Sequence, residues 1–485
     1  MPLVPFPEYR PDVSDYRAGH TRDVLNVVPR GDGYGPFPGF APYSAALPAA
    51  CRGFFRAVRV DGSIAVFAGT AARLFLMDNS GGTWTDVSTD GLAYTTLAAS
   101  DNWQFAQFGN FVIAVQANTA PQVYDLTASA AFADLAGAPP AARYISVVGR
   151  FVVLSGLVSA PYRIQWSALG DATQWTPGAD ASDFQDLPDG GVVRGVAGGE
   201  YGVILQDNVV RRMSYAPGSP VIFQIERIAE DHGLLGPYSL VRSGARIFYV
   251  SAQGFKTIGA GTPQGIGGER VDRTFLAELD TSNLQLLLGA ADPRSNRVYW
   301  AYKSGAGSGP QFNRLVCYDY ALDRFAPIEV SGEYLGSMSQ PGITLENLDA
   351  FAPSLDALTG SLDGYPAAAY PEIAAFGADH RLGFFNGPNL EAILATAEQG
   401  TDRRRIHVRG LRPITDAAAV FGAVTRRENQ QAAPSLSPES AVNAQGICPQ
   451  RASTRYARAR IRIPAGTSWT FAAGVEPDFA PEGLR

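Results

Sequence analysis

The stretch GNFVIAVQ, residues 109–116, returns forty residues later as GRFVVLSG, residues 149–156. In both, a glycine opens a turn and β-branched and aromatic residues follow, the side chains that suit a pleated surface. Phe111 aligns with Phe151, Val112 with Val152 and Ile113 with Val153. Looser copies stand at GSIAVFAG (62–69), GEYGVILQ (199–206), ARIFYVSA (245–252), NRVYWAYK (296–303) and HRLGFFNG (380–387). All but the last recur at about 40–50 residues, the period of a propeller blade. Each is followed by a second strand-like phrase: ARLFLMD, PQVYDLT, YRIQWSAL, NVVRRMSY, GFKTIG, RLVCYDY and NLEAILAT. Such a unit cannot bury its apolar face alone, so neighbours stack around an axis and each covers the next. The spacing predicts an all-β β-propeller of about six blades. The seventh pair, set off by a long gap, is expected in the last blade or at a domain junction.

Composition agrees with an all-β chain. Gly 52 and Pro 34 together make 86 of 485 residues, while charged residues reach only 18% against a usual ~25%. Sustained helical periodicity is almost absent, and its best stretch, PAAAYPEIAAF (366–376), is interrupted by Pro371. Lys256 and Lys303 are the only lysines; the other 37 of 39 basic residues are arginine. The opening MPLVPFPEYRPDVSDY lacks the basic and apolar regions of a secretory signal, and no run approaches the ~20 apolar residues of a membrane span. Cys51, Cys317 and Cys448 are odd in number and far apart. Cys317 lies within a strand phrase and reads as a buried reduced thiol, in a chain made in a reducing cytosol.

The residues that carry chemistry are sparse. His20, His232, His380 and His407 show no metal-ligand spacing to one another or to a cysteine. No G-x-S-x-G elbow occurs, and GAGTPQG (259–265) shares only its glycines with a phosphate loop. Neither catalytic residues, nor a cofactor, nor a metal is therefore expected. The enzymatic alternative is a sialidase-like glycosidase or depolymerase. MDNSGGTWTDVS (77–88) approaches an Asp-box, with Gly81, Thr83 and Trp84 in place but Met77 and Asn79 at the Ser and Asp positions. Such a box stabilises a turn, so an enzyme would further need convergent carboxylates on the propeller axis.

Two charged features stand apart. The stretch 325–380 holds eight acids and no Lys or Arg, and within it Leu-Asp recurs at Asp349, Asp356 and Asp363. A long insertion in a compact domain is usually functional. Conversely, 381–485 carries 14 arginines against nine acids. Arg403, Arg404 and Arg405 open a strand-rich stretch, and Arg458, Arg460 and Arg462 alternate with apolar residues, giving a strand with one basic face. These arginines are candidate interface residues, with a solvated, aggregation-blocking edge as the alternative. The expected division is an N-terminal arm (1–60), blades (61–330), an acidic loop (331–378), last-blade strands or a junction (379–400), and a C-terminal β-sandwich-like domain (401–485).

NVVPRGDGYGPFPGFAPYS (26–44), followed by CRGFFRAVRVDGSIAVFAG, resembles the tail stabilisation or nozzle proteins of short-tailed bacteriophages, also called tail hub or tail tube B proteins. Gly33, Tyr34, Phe37, Pro38, Gly39, Arg52 and Gly53 carry the likeness, and HGLLGPYSLVRSGARIFYVSAQGF (232–255) extends it. The resemblance implies a non-catalytic virion component assembled in the host cytoplasm. It implies a homohexameric ring below the portal and adaptor that passes double-stranded DNA and docks a fibre, spike or needle protein. It also implies a propeller with further β domains built from the chain ends. Asp349, Asp356 and Asp363 would then face either the DNA channel or a neighbouring subunit. A generic propeller scaffold for some cellular partner remains the third possibility.

Overall fold

A computed structural model describes residues 3–14, 19–79, 82–219, 221–340, 370–400 and 404–482. Seven four-stranded antiparallel sheets follow one another along the chain. The first runs Phe54–Val58, Ile64–Gly69, Leu74–Met77 and Trp84–Asp86. Each packs on the next, and the seventh returns to the first: Met338, Ala374 and Phe376 share a core with Phe54, Val66 and Phe75. That closes a β-propeller of seven blades, one more than expected.

The repeated phrases are the second strand of each of the first six blades, as in Phe111–Val115 and Phe151–Leu157. Gly109 and Gly149 open the hairpins at φ +59° and +57°, a conformation that glycine adopts without strain. Val112, Ile113, Val152 and Val153 are fully buried between blades. The aligned phenylalanines differ, Phe151 being buried and Phe111 only partly so.

The seventh repeat was displaced by one strand. In that blade the second strand is Tyr370–Phe376, the very stretch with residual helical character, and HRLGFF supplies the third, Arg381–Phe384. Its fourth strand is Ala41–Ala46, from the opposite end of the chain. The seam is fastened by Glu333, which accepts the Cys51 N–H at 2.9 Å and meets His380 Nδ1 at 2.6 Å. Of the degenerate Asp-box, Gly81 lies outside the described residues; the Asp78 N–H donates to Thr83 O at 2.8 Å, and Trp84 Nε1 donates to Ala45 O of the closing strand at 3.0 Å.

A second unit, a β-sandwich, is woven from both ends of the chain. One sheet orders Cys448–Thr454, Ile406–Thr415, Ala472–Pro481, Gly33–Pro36 and Val27–Arg30, with Val4–Pro5 also on Ala472–Pro481. The other centres on Phe421–Arg427, Tyr456–Ile463, Ala392–Ala395 and Val24–Leu25. The sandwich therefore begins before residue 401 and includes much of the segment expected to be an arm. NLEAILAT belongs here, and the propeller itself starts before residue 61 and keeps both flanks of the acidic segment.

Propeller and sandwich share one apolar core, in which Leu288, Tyr299 and Ile328 of the sixth blade join Val27, Leu411 and Ile461. Asn26 pins the joint at φ +58°. Its backbone N–H donates to Pro327 O, its Nδ2 to Glu391 O, and its Oδ1 accepts the Glu329 N–H at 2.7 Å. Asn26→Ala removes two bonds and the left-handed tolerance of asparagine, with an expected loss of about 2–3 kcal/mol in urea unfolding. Asn26→Gly keeps the backbone freedom and should lose less.

All three cysteines are free and buried. Burial pushes the Cys317 thiol up to about 12 and Cys448 up to about 11, which suits inert core thiols.

Candidate functional site

The first strands of the blades line the axis, and one end of that axis opens into a cavity of about 590 Å³. Arg143 and Arg194 each stand second in the inner strand of the third and fourth blades, Ala142–Val148 and Val193–Ala197. This equivalence brings the two guanidiniums to the same cavity. Arg143 Nε lies 3.4 Å from Asp101, and Arg194 Nε lies 2.6 Å from Asp207. Asp207 is fixed in turn by the Val192 N–H at 2.8 Å.

Behind Asp101, Arg52 bonds Asn102 Oδ1 at 2.9 Å and the backbone carbonyls of Ala98, Ala99 and Asp101. Burial pulls its guanidinium pKa down from the ordinary value. Tyr238 donates no charge here but closes the floor, its hydroxyl accepting the Asn102 N–H at 2.8 Å and its ring meeting Tyr144 edge-on. Desolvation raises the pKa of both phenols, so they remain neutral donors. A second cavity shares Tyr144, Arg194 and Tyr238 with the first and continues to Arg242. The signal for Arg143 and Arg194 is their equivalent place on the inner strands, whereas the recurring phrases cover the second and third strands of the blades.

The candidate acids Asp349, Asp356 and Asp363 lie outside the described residues. The insertion that holds them leaves and re-enters the seventh blade at one point, where Gln340 stands opposite Tyr370. Its roots are thus the end of the innermost strand and the start of its neighbour. The other acids of 325–380 that fall within the described residues all have partners in the chain. Glu329 meets Arg314, Glu333 meets His380, Glu372 meets Arg294 at 3.2 Å and Asp379 meets Arg381 at 3.6 Å.

The basic face expected on the strand Tyr456–Ile463 is neutralised within the chain. Arg458 is buried between Glu398 and Asp23, at 3.8 and 3.5 Å. Arg460 meets Glu439 at 3.1 Å, and Arg462 meets Glu391 at 3.0 Å and Glu439 at 2.7 Å. Neighbouring segments bring acids onto the arginine face of this strand. Arg405 pairs with Glu428 at 2.7 Å, Arg404 is exposed, and Arg403 lies outside the described residues.

Among the described residues no group of three or more His, Cys, Asp or Glu is placed to hold a metal ion. No described helix is long and apolar enough to cross a membrane.

No protein-family profile and no curated protein sequence matches the chain. Solved structures similar to it include the extracellular domain of BT4673, assigned as a hybrid two component system of B. thetaiotaomicron. That match has a TM-score of 0.43 and 11% identity, over 77% of this chain and 41% of that one. BamB from Moraxella catarrhalis matches with a TM-score of 0.32 and 12% identity, over 62% of this chain and 92% of BamB. YCF48 bound to D1 peptide gives 0.36 and 13%, over 60% and 87% respectively. The chain spans less than half the length of the BT4673 domain, and the propeller described above rests on its own seven packed sheets.

Proposed function

We propose that this chain is a structural virion protein of a short-tailed phage. Six copies form the tail nozzle or hub below the portal and adaptor, close the DNA channel, conduct DNA at ejection and dock fibres or spikes. The observation that carries the reading is the sandwich woven from both chain ends and fused to the propeller through a common core. That is the domain plan which the resemblance of residues 26–53 and 232–255 implies. A rigid two-part subunit suits a ring that must hold its bore while DNA passes.

Native mass spectrometry of tails from particles containing this chain tests it. Sixfold stoichiometry is expected, and any other, or absence of the chain from particles, overturns the reading. The acidic insertion supplies a second test, because duplex DNA carries about one charge per 1.7 Å of axis and an acidic wall repels it. Replacing Asp349, Asp356 and Asp363 by Lys should give particles that hold DNA but eject it slowly, with relief at high salt, if the insertion faces the lumen. Failed tail assembly is expected if it meets a neighbour. Normal assembly with normal ejection would exclude both roles.

The depolymerase reading is the less favoured. It needs available carboxylates at the axis, and at the axial mouth Asp101 and Asp207 are each held by an arginine.

A further inference from the structure

We infer that the axial mouth is a binding site for a small polyhydroxylated molecule bearing an oxyanion, a carboxylate or phosphate sugar. Two features carry this. The first is charge. Arg143 and Arg194 line the cavity and each face one aspartate, Asp101 and Asp207, while Arg52, behind Asp101, bonds the Asn102 amide and backbone carbonyls. The three arginines and two aspartates thus carry one positive charge in excess. The aspartates engage the Nε edges of Arg143 and Arg194, and both arginine side chains remain more than a third exposed. A guanidinium held by its Nε edge still offers a terminal nitrogen pair, the fork that grips carboxylate or phosphate. Their equivalent places on adjacent inner strands aim both forks into one cavity.

The second feature is the opposite wall. Thr281, Ser282 and Gln285, from the short 3-10 segment ahead of the sixth blade, line the same cavity. Hydroxyl and amide groups across from a cationic fork match ring hydroxyls across from an acidic substituent. The cavity, at about 590 Å³, falls within the ~300–1,000 Å³ of small-molecule sites. Its rigid floor, where Tyr238 accepts from the Asn102 backbone and Asn102 Nδ2 donates to Gln285 O at 2.8 Å, is already organised before any ligand enters.

Saturation-transfer NMR on the purified full chain tests this with D-glucuronate, glucose 6-phosphate and glucose. Transfer to either anion, but not to glucose, is expected, and the stronger of the two identifies carboxylate or phosphate as the preferred group. Arg143→Met and Arg194→Met should each weaken binding about tenfold or more, the worth of a charged hydrogen bond. Arg163→Met, which breaks a pair with Asp186 away from the mouth, should leave binding unchanged. Should Arg194→Met fail to fold, Arg143→Lys decides, since it keeps the charge and removes the fork; a several-fold loss is expected. Equal transfer to glucose, no transfer to either anion at millimolar concentration, or unchanged binding in the arginine variants would overturn the proposal.

Discussion

Glu398→Ala should destabilise the sandwich by about 3–5 kcal/mol, as removal of one partner from a buried ion pair does. Glu398 is 6% exposed and sits against Arg427 at 2.6 Å and Arg458 at 3.8 Å, side chains that are 8% and 7% exposed. The carboxylate offsets two guanidiniums that water barely reaches. Its removal takes from Arg458 a carboxylate more buried than that of Asp23, which stands at 3.5 Å on the exposed side. Because the penalty lies in stranded charge, a variant that also removes the arginines should recover most of the loss. The check is a set of urea unfolding curves for Glu398→Ala, Arg427→Met/Arg458→Met and the triple variant. A Glu398→Ala effect below about 1 kcal/mol would show that water enters the site and screens the pair.

Phe151→Ala is the second large effect, at about 3–5 kcal/mol for a buried aromatic. The ring packs edge-on to Phe223 at 4.8 Å and against Tyr215 at 5.2 Å, between the third and fourth blades. Phe111 holds the matching position one blade earlier, with its ring only partly covered. Phe111→Ala should therefore lose only about 1–2 kcal/mol, in proportion to the smaller area it removes from water. Equal losses at the two sites would mean that the aligned residues see the same surroundings in solution.

That asymmetry marks how far a repeat can be read. Val112, Ile113, Val152 and Val153 are legible because they face the interior of a blade pair, where β-branched residues recur for packing reasons alone. The first residue of the strand is set by what the next blade places over it, and no short phrase encodes that. The seventh blade was misread for two physical reasons. An insertion separates Gln340 from Tyr370, so the strands that pair there are not adjacent in sequence. The fourth strand, Ala41–Ala46, arrives from the other end of the chain, and a long-range pairing leaves no local signature. The same holds for Val24–Leu25 and Val27–Arg30, whose sheets are completed by residues near the C-terminus.

The candidate site was legible in part. The arginine alternation in 456–463 correctly marks a strand with one polar face, yet its neutralisation depends on Glu391, Glu398 and Glu439, which lie in connecting segments. The axial mouth was not read at all, because Asp101, Arg143, Arg194 and Asp207 come from separate repeats and meet only when the ring is shut.

Ring closure by Ala41–Ala46 also fixes when this protein can become native. Ala46 pairs with Arg381, so the early strand must wait until the ribosome has delivered the seventh blade. At about 5–20 residues per second that interval is roughly 20–70 s. The sandwich waits longer, since Val4 pairs with Val475. Throughout synthesis the nascent chain keeps open strand edges, which invite pairing with other chains. A ribosome that stops before Arg381 releases a product able to complete neither unit, and one that stops before Ala472 leaves the sandwich open. Both units thus keep an open edge until strands made late in translation, Arg381–Phe384 and Ala472–Pro481, meet partners made early.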